Sequence, residues 1–333
     1  MDLMGSTTSG RLRAAFVNAA YRAVDLSGLN RLMAGYSKRS LRILVYHGIC
    51  RDEECREAWV PPSFVSYREF AFQMQYLRSR FRVTSLRAAL EGLRTHGSFE
   101  PGAAAVTFDD GYENNLSIAL PVLKQYAIPA TIFVCTRWVA EGELFPHDKV
   151  RLLRLWCPEE ASPLTAPHSR AHKDLPIQVV LQELDRLWPK YRHRLTGAQR
   201  EALRPMSWEQ IRSVDASLIE IGAHTHQHAI LAHERDGARQ EEIMTSVTLI
   251  RQNLGVPAPL FAYPNGMEGD FDERDKALLS SAGCLSAVSG IYGWNSAGTT
   301  DPLALRRIGI GLGHTPARFA AQVSGVRRLV SWL

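Results

Sequence analysis

Between residues 41 and 310 the chain alternates short, almost uninterrupted apolar runs with stretches whose apolar positions recur at helical spacing. The runs are LRILVYH (41–47), FRVTS (81–85), AAAVTF (103–108), ATIFV (130–134), LIEIGA (218–223), PLFAY (259–263), CLSAVS (284–289) and LRRIGI (305–310). Their lengths predict strands, and their lack of polar alternation predicts strands covered on both faces. Helices are expected between them. Ser66 and Glu69 have the spacing of a capping box ahead of Phe70, Met74 and Leu77, and Ser207 with Gln210 repeats it. Over 236–254, Ile243, Val247, Ile250 and Leu254 form one stripe that opens at Asp236 and stops at Gly255. Alternation of this kind implies parallel strands, in a barrel or in a doubly wound sheet.

Three segments fall outside that rhythm. Residues 158–176, with four prolines and few large apolar side chains, read as a loop inserted over one end of the fold. Residues 315–333 read as a C-terminal helix. At the other end, Leu12, Phe16, Ala19 and Ala23 share helical spacing, while residues 10–42 set seven basic side chains against Asp25 alone. A basic amphipathic segment over 1–40 in peripheral contact with an anionic membrane is the expectation, with packing onto its own domain as the alternative. One catalytic domain, 41–314, lies between these ends.

Composition narrows the function classes. The 333 residues are 45% hydrophobic and 22% charged, the balance of a soluble protein with a large core. The net charge of +5 invites a nucleic-acid reading, but the basic residues form no long run and no helix-turn-helix, zinc-finger or RNP pattern is present. No specific nucleic-acid partner is therefore expected. Cys50, Cys55, Cys135, Cys157 and Cys284 include no CxxC pair and predict neither a disulfide nor a zinc framework. Asn18 and Arg22 interrupt the apolar run at 14–24, so an export signal is not expected, and no run reaches the ~18 residues of a membrane span. The expected location is cytoplasmic, peripheral on the inner face of the membrane.

The chemistry collects at strand ends. Asp109 and Asp110 follow the run 103–108 and are followed at once by Gly111, which permits a tight turn. Neighbouring side chains leave a strand in different directions, so one carboxylate can bind a metal while the other takes a proton from bound water. His224, His226 and His228 follow the run ending at 223. A helical turn would put His224 and His228 on one face, whereas a continued strand would put all three on one face. Two imidazoles and a carboxylate with open positions form a hydrolytic metal site. His47 and the YPNG stretch at 263–266 close two further runs. In parallel α/β folds these ends share the face where active sites assemble.

TFDDGY (107–112), HTHQH (224–228) and FAYPNG (261–266), with RILVYHGI at the start and MSWEQIRS at 206–213, resemble the successive motifs of the polysaccharide deacetylase family, carbohydrate esterase family four. The resemblance extends to the branch that includes poly-N-acetylglucosamine deacetylases. It implies a distorted (β/α) barrel, commonly of seven strands, and metal-dependent removal of acetyl groups from sugars. It also implies Asp109 as catalytic base, Asp110, His224 and His228 as metal ligands, and Zn²⁺ as the ion, with Co²⁺ or Ni²⁺ as alternatives. Tyr263, Pro264 and Asn265 match a groove-wall motif, and Tyr112 is a further candidate substrate contact. For the general acid, His47 is favoured over His314 because it closes a strand on the same face; Arg307 matches a recurrent arginine. The expected substrate is an acylated amino sugar of a glycan or lipid-linked precursor. The alternative is an inactive glycan-binding or membrane-associated member of the same fold.

Overall fold

The computed structural model describes residues 39–161, 164, 172–255 and 260–325. Of the segment 1–40 only the last two residues fall within this range, and of the segment 158–176 the residues 158–161, 164 and 172–176 do. The apolar runs become β1 (Ser40–Tyr46), β2 (Ala103–Phe108), β3 (Ala130–Val134), β4 (Ile219–Ala223), β5 (Phe261–Ala262), β6 (Ala287–Tyr292) and β7 (Leu305–Gly309). All seven are parallel. β1 pairs β2 through Arg42↔Ala104 to Tyr46↔Phe108 and pairs β7 through Leu44↔Ile308, which closes the sheet into a seven-stranded barrel. A barrel, and not a doubly wound sheet, is the outcome.

Two expected strands differ. The run 81–85 contributes only Arg82–Val83, paired to the first residues of β2, because β1 lies directly against β2 and leaves no place in the barrel wall. The run 284–289 slides forward to 287–292: Gly283 turns the chain at φ 76°, and Leu285, 74% exposed, belongs to the turn.

Helices cover the barrel as the periodicity predicts. Among them are α1 (Tyr67–Arg80), α2 (Leu86–His96), α3 (Leu120–Tyr126) and α4 (Thr136–Glu141). After them come α5 (Pro146–Trp156), α6 (Ile177–Tyr191), α7 (Gly197–Leu203), α8 (Trp208–Ser213), α9 (Asp236–Leu254), α10 (Glu273–Ser281) and α11 (Pro316–Ser324). Ser66 Oγ caps α1 by accepting from Glu69 N at 3.1 Å, and Ser207 with Gln210 makes the full capping box of α8. Outward-facing Leu44, Val106, Ile132 and Ile221 pack with Met74, Leu77, Val122, Ile243 and Val247 in one cluster. Inward-facing Ile43, Ala105, Phe133, Ala262 and Val288 form a second cluster with Leu86 and Ala89 of α2. Strands buried on both sides explain the continuous apolar runs.

The excursion between β3 and β4 carries α5 and α6. Phe145, Leu152, Leu153, Val180 and Leu187 make a third cluster with Trp138 and Phe64. This layer stands beside the C-terminal ends of the strands and walls the site. None of the described helices is long and apolar enough to cross a membrane.

Candidate active site

A cleft of about 710 Å³ opens over the C-terminal strand ends, and His47, Asp109, Asp110, His224, His228 and Arg307 line it. They come from β1, β2, β4 and β7, far apart in sequence, and the closed barrel brings them together.

The turn after β2 is held by its own residues. Asp109 N donates to Tyr46 O at 2.9 Å, continuing the ladder with β1. Asp110 then adopts φ 72° and Gly111 φ 89°. A Cβ on Gly111 would sit 2.8 Å from Val134 Cγ1, so the close approach to β3 as well as the backbone requires glycine. The following Asn114 and Asn115 tie this turn to the end of β1: Ile49 N donates to Asn114 Oδ1 at 2.9 Å, and Asn115 Nδ2 donates to His47 O at 2.6 Å.

The histidine segment is neither helix nor strand. Thr225 at φ 61° and His228 at φ 69° fold residues 224–228 into a loop. The loop depends on a distant carboxylate. Glu242 of α9 accepts from His226 N at 2.9 Å and from Gln227 N at 2.8 Å, satisfying two backbone donors that no regular element pairs. His224 and His228 therefore converge through this loop and not on a helix face, while His226 turns away to pair with Thr136 Oγ1 at 2.8 Å.

The two carboxylates have different surroundings. Asp109 meets Arg307 in a two-pronged pair, with both N–H···O distances 2.7 Å. Arg307 also donates from Nε to Ser289 O at 2.7 Å, which fixes its plane inside the barrel. Burial alone would raise the Asp109 carboxyl, but Arg307, then His224 and His47, hold it below the usual range. Asp110 Oδ1 lies 3.2 Å from His228 Nε2 and 3.5 Å from His224 Nε2. Burial again opposes ionisation, and the surrounding imidazoles hold Asp110 well below the ordinary carboxyl value.

Asp110, His224 and His228 offer ligand atoms that all lie within 4.8 Å of one another. Asp110 Oδ1 is fully buried yet accepts no well-formed hydrogen bond. The opposite face of the His224 ring is engaged, Nδ1 meeting Ala262 O at 2.8 Å, so Nε2 is the nitrogen presented beside Asp110. One buried, unsatisfied carboxylate oxygen and two oriented imidazoles fit a divalent cation.

His47 lines the cleft with a buried Nδ1 that has no hydrogen-bond partner. Burial pulls its pKa below the ordinary histidine value against the opposing charges of Asp110 and Asp109. His314 is not among the cleft residues; its Nδ1 lies 2.7 Å from Gly311 O.

Three expected substrate contacts lie off the cleft lining. Tyr263 is buried, stacked on Phe271 at 3.9 Å, and donates its hydroxyl to Leu303 O; Pro264 beside it is buried and does not reach the cleft. Tyr112 is buried below the cleft, packed edge-on against Phe64 and Phe145. Aromatic rings this large go to the core when their hydroxyl finds a partner there. Of the YPNG stretch, Asn265 lines the cleft.

His147 is the residue that no motif announced. It sits in the first turn of α5, its ring stacked on Phe145 at 5.5 Å, with Nε2 3.6 Å from Asp110 Oδ2 and 2.8 Å from the Tyr112 hydroxyl. Tyr112 in turn donates to Asp148 Oδ2 at 2.7 Å. A histidine directly after the Pro146 helix start was the available signal, but its partner is distant in sequence.

Burial pushes the Asp148 carboxyl up to about 8. An acid whose folded pKa exceeds its unfolded value, about 3.9, adds stability that is complete below that value and is lost as pH rises through the folded one. Asp148→Asn should therefore gain in unfolding free energy on wild type, read from denaturant melts, as pH rises from roughly 5 to 8, at up to ~1.4 kcal/mol per pH unit. A difference that stays constant over that window would rule out a protonated Asp148.

The sequence model of the polysaccharide deacetylase family matches residues 96–284. YxkH of Bacillus subtilis (strain 168), assigned to the polysaccharide deacetylases, is 33% identical over 112 residues, which are 33% of this chain and 37% of YxkH. The match thus spans little more than a third of that relative's length. The Streptococcus pyogenes deacetylase PplD in complex with acetate superposes with a TM-score of 0.59 at 17% identity, over 86% of this chain and 99% of its own. IcaB from Ammonifex degensii does so with a TM-score of 0.60 at 22% identity, over 86% and 97%. Both likenesses carry the fold.

Proposed function

Because the chain belongs to the polysaccharide deacetylase family, we propose that it is a metal-dependent hydrolase that removes an N-acetyl or other small acyl group from an amino sugar of a glycan or glycolipid precursor. The observation that carries this reading is the division between two adjacent buried carboxylates. Asp109 is paired with Arg307, and Asp110 with two imidazoles.

Asp110, His224 and His228 would hold the ion, Zn²⁺ in the first instance. When bound, it would supply Lewis acidity to the acyl carbonyl and to a coordinated water. Asp109, kept ionised by Arg307 and therefore ready to accept, takes the proton from the attacking water. The same pairing makes Asp109 a weaker base, so its contribution lies in fixed position as much as in proton affinity. Arg307 is a positioning residue: its two bonds hold the Asp109 carboxylate against the barrel wall. His47 is the candidate donor to the departing nitrogen. Burial favours its neutral ring, so the proton it delivers to the nitrogen is the one Asp109 has taken from the water, passed on within the site, which returns Asp109 to its carboxylate. The C–N bond breaks, the acyl group leaves as a carboxylate, and the sugar keeps an amine.

Acetate release from N-acetylglucosamine oligomers and glycosides tests the reading. Chelated protein should lose turnover and regain it on addition of Zn²⁺, Co²⁺ or Ni²⁺. Turnover indifferent to chelation, or absent under every metal with both N-acetyl and N-formyl substrates, would overturn it.

A further inference from the structure

We infer that the α5 wall of the cleft binds a phosphate ester carried by the amino sugar, gripped by Arg151 and Arg154. The inference names the substrate class of the site and so rests on the hydrolase reading above.

His147, Arg151 and Arg154 occupy positions i, i+4 and i+7 of α5, one stripe along the helix, and all three line the cleft. His147 reaches Asp110 at 3.6 Å, which anchors the start of the stripe beside the candidate metal ligands. At ~1.5 Å rise per residue, Arg151 lies about 6 Å and Arg154 about 10 Å farther along the axis. That places two guanidiniums beyond the acyl site, where the part of the sugar away from its amide would rest.

Charge compensation elsewhere in the cleft makes these two stand out. Arg307 is paired with Asp109, Asp110 faces His224 and His228, and Asp148, one turn before Arg151, already accepts the Tyr112 hydroxyl. Among the described residues neither the Arg151 nor the Arg154 guanidinium makes a hydrogen bond or a close ion pair. Arg151 is half-buried, and its field reaches Asp148 and His172. Half-burying a guanidinium without an anion is costly, and two planar forks on one stripe match the non-bridging oxygens of a phosphate ester. A single carboxylate would leave part of this charge unmet.

Calorimetric titration of the metal-loaded full chain with N-acetylglucosamine 1-phosphate and with the neutral methyl N-acetylglucosaminide tests this. Wild type should bind the phosphate at least tenfold more tightly, and Arg151→Gln/Arg154→Gln, with an unchanged circular-dichroism melt, should lose that preference. Should the double variant fail to fold, Arg154→Gln alone, at an exposed position, should lose at least threefold of it. No preference in wild type, or a preference that survives in the double variant, would overturn the inference; the latter would place the phosphate on the metal. An N-acetylglucosaminyl phosphodiester of a short isoprenol separates the sources. Tighter binding than the monoester marks a lipid-linked substrate, and weaker binding marks a soluble sugar phosphate. Acetate release is scored separately, so absence of turnover with intact phosphate preference would count against the hydrolase reading and not against the site.

Discussion

Asp109→Asn should lower acyl release by about 10²–10⁴-fold while leaving metal content unchanged, as expected for a lost general base. The carboxamide fills the same space and keeps one oxygen for Arg307, but it cannot take a proton. Asp109 lies outside the Asp110, His224 and His228 group, so ion binding should survive. The variant carries a structural cost too. Arg307 is 2% exposed, and removing the charge opposite it leaves a buried guanidinium partly uncompensated, which costs about 3–5 kcal/mol in comparable pairs. Activity must therefore be compared well below the melting temperature of each protein. Turnover within tenfold of wild type in the folded, metal-loaded variant would remove Asp109 from the role of base.

The other large effect concerns the ion. Wild type reconstituted with Zn²⁺ should hold about one ion per chain by mass spectrometry of the native protein, and His224→Ala/His228→Ala should hold none after desalting. Acyl release should fall to background in the same variant. His224 is 1% exposed and engages Ala262 O, so its loss opens a cavity and frees a buried acceptor. His228, with its side chain 20% exposed, is the milder site. Its single replacement separates metal loss from unfolding. Stoichiometric zinc in the folded double variant would mean that the ligands lie elsewhere.

The sequence revealed the strands more fully than the way they join. β1, β2, β3 and β4 were legible because each buries both faces, which leaves a continuous apolar run. Closure was not, since the choice between barrel and open sheet is made by pairing β1 with both β2 and β7, contacts more than fifty residues apart. Asp109, Asp110, His224 and His228 were legible as a set because each follows a run that ends on the same face. The loop that joins His224 to His228 was not, because its shape depends on Glu242 in another helix. Tyr263 and Tyr112 fell in motifs that point to the site, yet their rings serve the core. His147, Arg151 and Arg154 belong to no motif. They are visible only once α5 is laid against the strand ends.

Asp110, Thr225, His228 and Asn265 hold positive φ values of 72°, 61°, 69° and 57° without being glycine. Each such backbone costs about 1–2 kcal/mol relative to a relaxed one, and Thr225, branched at Cβ, is the least suited to it. The cleft is therefore the part of the molecule that selection for thermal stability alone would dismantle first. In a library ranked only by heat resistance, glycine should accumulate at these positions. A directed-evolution campaign blind to chemistry would then trace the outline of the site by the places where function is surrendered for stability.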